Sequence, residues 1–231
     1  MELAGAIESV EAWHRRDDRI ETFDRAACRF GYRDSVFKQP GMEDWLILTV
    51  RLTLGREPAL RTDYGEIRAE LGAGAGGHGS TSKAGSTGGS IGTGAASPSP
   101  RDVAAAVERI RRRKLPDPAE IGNVGSFFKN PVIDAAQAAA LATTATAGGL
   151  PPPPLYPTGD QVKVSAAWLI ERCGWKGHRD GDAGVSPRHA LVLVNHGQAT
   201  GAGMLALARR IQVSVFERFG IRLEPEPRII A

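Results

Sequence analysis

Between Gly72 and Pro98 the chain is built almost wholly of Gly, Ala, Ser and Thr, with ten of its 28 glycines there and Ile91 as the single large aliphatic residue. Such a stretch cannot bury enough apolar surface to offset the entropy of ordering it, so it predicts a flexible insertion at 72–98, with any core built from the flanks. It lacks a Gly-Lys-Ser/Thr ending, which argues against a phosphate-cradling loop. A second low-order region is predicted at 140–160, ALATTATAGGLPPPPLYPTGD, where Pro151 to Pro154 favour a polyproline conformation. With 231 residues, the chain has room for one domain with an appendage or two small domains.

The flanks carry clear periodicities. IESVEAWHRRDDRIETFD reads as two strands joined at the tip Arg15 to Asp18. WLILTVRLTLG (Trp45 to Gly55) is β-branched and aliphatic, which predicts a buried strand. Ser99, Pro100 and Asp102 form a capping-box-like start for a helix running to about Arg112, with Val103, Val107 and Ile110 on one face. Ser165 caps a short helix, AAWLIERC, that Gly174 ends. LVLVN (Leu191 to Asn195) is a strand, and Met204, Ala208, Ile211, Val215 and Phe219 make one stripe of a helix from about Gly203 to Phe219, stopped by Gly220. IRLEPEPRII is expected as a closing strand. Strands and helices interleave without a regular βαβ repeat, so the fold class is α+β: a small sheet packed by helices.

Composition narrows the function classes. Twenty-nine Lys and Arg against 26 Asp and Glu leave a net +3, short of the density a nucleic-acid surface needs. Cys28 and Cys173 are too few for a disulfide framework and match no zinc spacing, which suits a reducing compartment, the cytoplasm. No window approaches 18 apolar residues and the start lacks a basic-then-apolar segment, so neither membrane insertion nor export is expected. HExxH is absent, there is neither a GxSxG elbow nor a dinucleotide fingerprint on a βαβ unit, and no metal site is expected.

Four clusters hold more polar specificity than packing requires. GYRDSVFK (Gly31 to Lys38) collects Tyr32, a guanidinium, a carboxylate, a hydroxyl and an ammonium, and reads either as a charged turn or as part of a site. RIRRRKLPDP (Arg109 to Pro118) loads a helix end with cations, including Arg111 and Lys114, either to complement the dipole or to hold a diphosphate. GNVGSFFKNP (Gly122 to Pro131) lets the backbone approach a partner closely and then presents Ser126, with Asn130 beyond it. In LEPEP, Glu224 and Glu226 would share one face of an extended strand, a placement suited to acid chemistry or to an ordinary edge strand.

Read in order, GYRDSVFK, KLPDP, GNVGSFFKNP, SAAWLIERCGWKG, HALVLVNHG and LEPEPRII resemble the UDP-N-acetylenolpyruvoylglucosamine reductase family. The resemblance implies NADPH- and FAD-dependent reduction of UDP-N-acetylglucosamine enolpyruvate to UDP-N-acetylmuramate in peptidoglycan precursor synthesis. It implies Ser126 as proton donor, Glu226 as its companion acid, and Tyr32, Lys114 and Asn130 as contacts of the UDP-sugar. Arg111 and Arg228 would stand beside its carboxylate or diphosphate. The family's long flavin-binding region is expected to be mostly missing. Residues 1–32 would then be its closing hairpin, with exposed apolar edges, and residues 33–231 the substrate-binding domain. FAD would have to be held with a separate flavin-domain chain. The alternative expectation is a truncated, non-catalytic UDP-sugar-binding module.

Overall fold

The computed structural model of the chain describes residues 3–56, 60–62, 66–74 and 98–229. It divides into two compact units, Met1–Ala59 and Leu60–Ala231. The division lies beyond the 32/33 boundary expected from sequence, because a third strand joins the hairpin.

In the first unit, β1 (Ile7–His14) and β2 (Arg19–Asp24) form the predicted hairpin, and β3 (Trp45–Leu52) adds to the other side of β1, giving the order β2-β1-β3. Both pairings are antiparallel, with Val10 opposite Phe23 on one side and Val50 on the other. The central strand buries Ile7, Val10 and Ala12. Phe23, Phe30 and Phe37 pack around Val10 and Cys28. The expectation of a buried strand at Trp45 to Gly55 is corrected: the strand forms but is exposed. Leu46, Ile47 and Leu48 are 54%, 50% and 50% exposed, because β3 is the sheet edge and the small cluster on β1 reaches only one strand deep.

In the second unit, α1 (Ile67–Gly74) takes in the first residues of the expected 72–98 insertion, and residues 75–97 lie outside the described residues. α2 (Pro100–Lys114) starts as predicted: Ser99 accepts from the Asp102 amide, Asp102 bonds back to Ser99, and Pro100 opens the first turn. β4 (Gly122–Ser126), β5 (Val132–Ile133) and α3 (Ala135–Ala147) follow. The predicted loop at 140–160 is therefore wrong over much of its length. A capping box of Asp134 and Gln137 starts α3 upstream, the alanine-rich run sustains it, and Ala138, Leu141 and Ala145 are buried. After Gly148 and the prolines, β6 (Leu155–Thr158) pairs with β7 (Gln161–Val164).

α4 (Ala166–Arg172) carries its Ser165 cap, and Gly174 turns the chain at φ +81°. β8 (Arg179–Asp180), β9 (Ala183–Val185) and β10 (Val192–Asn195) lead to α5 (Gly201–Phe219), which ends on left-handed Gly220. Two antiparallel sheets result, β4-β10-β9-β8 and β5-β7-β6. Leu169, Ile170, Leu193, Ile211 and Val215 fill the core between them and α3, α4 and α5.

The closing strand expected at IRLEPEPRII is corrected to an irregular strap. Pro225 and Pro227 have no N–H to give a ladder, and among the described residues the strap's β-pairing is the isolated bridge of Phe128 with Pro225. Among the described residues, no helix is long and apolar enough to cross a membrane.

Leu169 is fully buried. Leu169→Ala is expected to destabilise the second unit by about 2–5 kcal/mol in urea unfolding. Leu48→Thr, at an exposed strand position, is expected to stay within about 0.5 kcal/mol of the parent while lowering the binding of an apolar-surface dye such as ANS.

Candidate functional site

Ser126 closes β4, opposite Val192 of β10. The turn ahead of it is set by Asn123, whose Oδ1 accepts from the Gly125 amide (3.0 Å) while its Nδ2 donates to the Ile121 carbonyl (3.0 Å). Gly125 sits at φ +74°, where a side chain would be strained, so the glycine before the serine is a backbone requirement. The Asn123 Nδ2 also reaches the Pro116 carbonyl at 3.4 Å, tying the Gly-Asn turn to the Lys-Leu-Pro-Asp-Pro segment.

Past Ser126 the backbone meets the C-terminal strap. The Glu226 amide donates to the Phe127 carbonyl (2.8 Å), and the Lys129 amide donates to the Glu224 carbonyl (2.9 Å). Phe127 to Lys129 thus runs antiparallel to Glu224 to Glu226, and Ser126 is one residue from the carbonyl that binds the Glu226 amide. The two acids differ. The Glu224 side chain is 74% exposed and lies 3.5 Å from Lys129 Nζ, whereas Glu226 is half-buried. Phe127 and Phe128, buried at an edge-to-face 5.1 Å, seat this stretch on the core.

Two clefts flank the Asn123 turn. One, of about 810 Å³, is lined by Arg111, Arg112, Arg188, Asn123 and Gly125, and by the acids Asp117 and Glu120. The other, of about 660 Å³, is mostly apolar, with Phe127, Leu193, Met204 and Leu205, and carries Arg228. Neither Ser126 nor Glu226 lines either cleft.

Lys114, the last residue of α2, pairs with Glu66 at 2.9 Å, and Arg109 and Arg113 hold Glu70 at 2.8 and 3.0 Å. These cations keep both glutamates below the usual carboxylate range, chiefly through hydrogen bonds from Lys114 to Glu66 and from Arg109 to Glu70. Much of the cationic run is therefore spent on α1. Asn130 has a structural engagement too: its Oδ1 accepts from the Ala166 amide (2.9 Å) at the start of α4. Tyr32 belongs to the other compact unit, 41% exposed in the tight turn that Gly31 and Asp34 close. Within the second unit, the fold brings together Ser126, Asn130, Glu226 and Arg228 on two adjoining segments, with Arg111 across the turn.

Sequence reasoning missed three neighbours. Arg188 lines the cationic cleft and its guanidinium donates to the Arg112 carbonyl (3.5 Å). His189 accepts from the Leu191 amide (3.3 Å) through Nδ1. Gln212 of α5 holds the strap. The His-Ala-Leu-Val-Leu-Val-Asn block contained a signal for His189, a titratable residue directly ahead of a buried strand.

A flavin diphosphate fits poorly at the glycine-bearing turn from β10 into α5. The turn from β10 into α5 contains Gly197, Gly201 and Gly203 and would be the place to cradle a diphosphate. Several of its amides are already taken: Gly197 and Ala199 donate to Asn195, Gln198 to Asp182, and Gly203 to Thr200. The Asp182 carboxylate, 3.0 Å from where a Cβ on Gly197 would stand, would also repel a phosphate there.

Residues 117–230 match the family model of the UDP-N-acetylenolpyruvoylglucosamine reductase C-terminal domain. The chain is 48% identical over 230 residues to UDP-N-acetylenolpyruvoylglucosamine reductase of Pseudomonas aeruginosa, a match covering 99% of this chain and 60% of the relative. It is 51% identical over 227 residues to the protein of that name from Xanthomonas euvesicatoria, covering 97% and 57%. The crystal structure of UDP-N-acetylenolpyruvylglucosamine reductase (MurB) from Thermus caldophilus superposes with a TM-score of 0.50 at 25% identity, over 97% of this chain and 53% of that one.

These likenesses place the chain among proteins built on that C-terminal domain. It belongs to the UDP-N-acetylenolpyruvoylglucosamine reductase family. It spans about 60% of the length of such relatives.

Burial, and then the cations of Lys114 and Lys176, push the His189 imidazole below its ordinary value, against the opposing pull of Glu171. The unfolded chain then takes up this proton more readily than the folded one, so the contribution is present above an ordinary histidine value of about 6.5 and is lost as pH falls through it. Urea unfolding at pH 7.5 and pH 5 is expected to show a smaller loss of stability for His189→Gln than for the parent.

Proposed function

We propose that this chain supplies the sugar-nucleotide-binding and proton-donating part of a reductase acting on UDP-N-acetylglucosamine enolpyruvate. Reducing an enolpyruvyl ether adds hydride to the terminal carbon and a proton to the carbon bearing the carboxylate. The hydride is the chemistry that FAD, reduced by NADPH, supplies in this family, and the residues that hold it lie elsewhere, on a partnering flavin region.

This chain's own residues account for the rest. The Ser126 hydroxyl donates the proton, and Glu226 stands behind it as the acid that stabilises the enolate side. Lys114 and Arg111 offer charge to the diphosphate, Asn130 contacts the UDP-sugar, and Arg228 neighbours the substrate carboxylate. The observation that carries this reading is the backbone pairing of Phe127 to Lys129 with Glu224 to Glu226, which holds the serine and acid segments side by side.

Calorimetric titration with UDP-N-acetylglucosamine enolpyruvate is expected to show binding that Lys114→Met weakens about 10- to 100-fold, equivalent to about 1.5–3 kcal/mol for a hydrogen bond to a charge. The exposed pair with Glu66 adds little to folding, so this variant should remain folded. Ser126→Ala is expected to keep affinity within about threefold while lowering turnover, assayed with the flavin region supplied, by about 10²–10⁴. Undiminished affinity in Lys114→Met together with undiminished turnover in Ser126→Ala would overturn the reading.

A further inference from the structure

The strap that carries Glu226 has no ladder of its own, so something else must fix its place. After Gly220 reverses the chain, Ile221 and Leu223 bury their side chains at 5% and 3% exposure, and the strap then runs past Phe128. Between that apolar anchor and Glu226 one side chain crosses from a helix: Gln212 of α5, whose Nε2 donates to the Leu223 carbonyl at 2.7 Å in a partly buried setting. Gln212 sits directly after fully buried Ile211, on a helix fixed by the Thr200 cap and the Gly220 stop. Its backbone is therefore among the more rigid parts of the unit.

The geometry points to Gln212 as a positioning residue for Glu226: it pins the Leu223 carbonyl, which sets the register in which Glu224 and Glu226 meet Lys129 and Phe127. A carbonyl pinned three residues ahead of the acid leaves little freedom beyond it, because Pro225 fixes its own φ and the Glu226 amide closes on Phe127. The side chain acts at a distance and touches no reacting atom. The inference rests on the reading that Ser126 and Glu226 face one substrate, but the clamp itself can be tested without any ligand.

The variants are Gln212→Glu, which keeps shape and replaces the donor with a carboxylate, and Gln212→Lys, which restores a donor on a longer stem. Without ligand, amide hydrogen exchange by NMR is expected to quicken about tenfold or more at Lys129 and Glu226 in Gln212→Glu, with Val192 and Leu193 of β10 unchanged, and to return toward the parent in Gln212→Lys. On titration with UDP-N-acetylglucosamine enolpyruvate, the parent is expected to show ligand shifts at the Ser126 and Glu226 amides. Gln212→Glu should retain the first and lose the second.

Faster exchange spread equally over β10 would mean a merely structural role and would overturn the proposal. So would parent-like exchange in Gln212→Glu, with the reading of Ser126 and Glu226 left standing. A parent chain whose Ser126 and Glu226 amides both ignore the ligand would remove that reading, and the proposal with it, even if the clamp is seen in the ligand-free exchange.

Discussion

Two main-chain hydrogen bonds, Glu226 to Phe127 and Lys129 to Glu224, hold the segment that carries Ser126 against the strap that carries Glu226. Ser126 comes from a strand of the β10 sheet and Glu226 from an irregular strap, a hundred residues later in sequence. A backbone pairing between them is insensitive to side-chain rotamers and screened little by salt, unlike the surface ion pairs around α2. The phenylalanine pair beneath it and Ile221 and Leu223 at its far end tie that pairing to the core.

The electrostatics are divided between structure and chemistry. Arg109, Arg113 and Lys114 are drawn to Glu70 on α1 and to Glu66 just ahead of it, so these three cations of the run at the helix end are paired. Arg111 is turned instead toward the cleft beside Gly125, with Arg188 joining it. A ligand diphosphate at Lys114 would have to compete with Glu66, a carboxylate held firmly in its charged form. In the first unit the unmet demand is apolar: β3 leaves Leu46, Ile47 and Leu48 half in water, and relatives of this family are longer than these 231 residues.

Local chemistry in the sequence was legible where it decides structure by itself. The Ser99–Asp102 box, the Ser165 cap, the Gly220 stop and the Arg15 to Asp18 hairpin tip all depend on neighbours within five residues, and each forms as expected. Burial was not legible for Trp45 to Gly55, because a β-branched run reports strand propensity and says nothing of whether a second layer exists to cover it. The alanine and threonine residues of α3 looked like linker by composition, yet Asp134 and Gln137 start a helix there, and the core beneath it keeps it. IRLEPEPRII was expected as a strand, but Pro225 and Pro227 withhold the N–H groups a ladder needs. In the site, Ser126 and the two glutamates stood out as residue types, but their pairing, the engagement of Asn130 with α4 and the place of Arg188, His189 and Gln212 are long-range facts that no spacing encodes.

The most direct measurement is a crystal structure of the chain with UDP-N-acetylglucosamine enolpyruvate bound. The account predicts the enolpyruvyl group lying over the junction of β4 and the strap, with Ser126 Oγ about 3–3.5 Å from the carbon that takes the proton and the diphosphate toward the Lys114 end of α2. A sugar nucleotide seated on a surface remote from both Ser126 and Glu226 would contradict it.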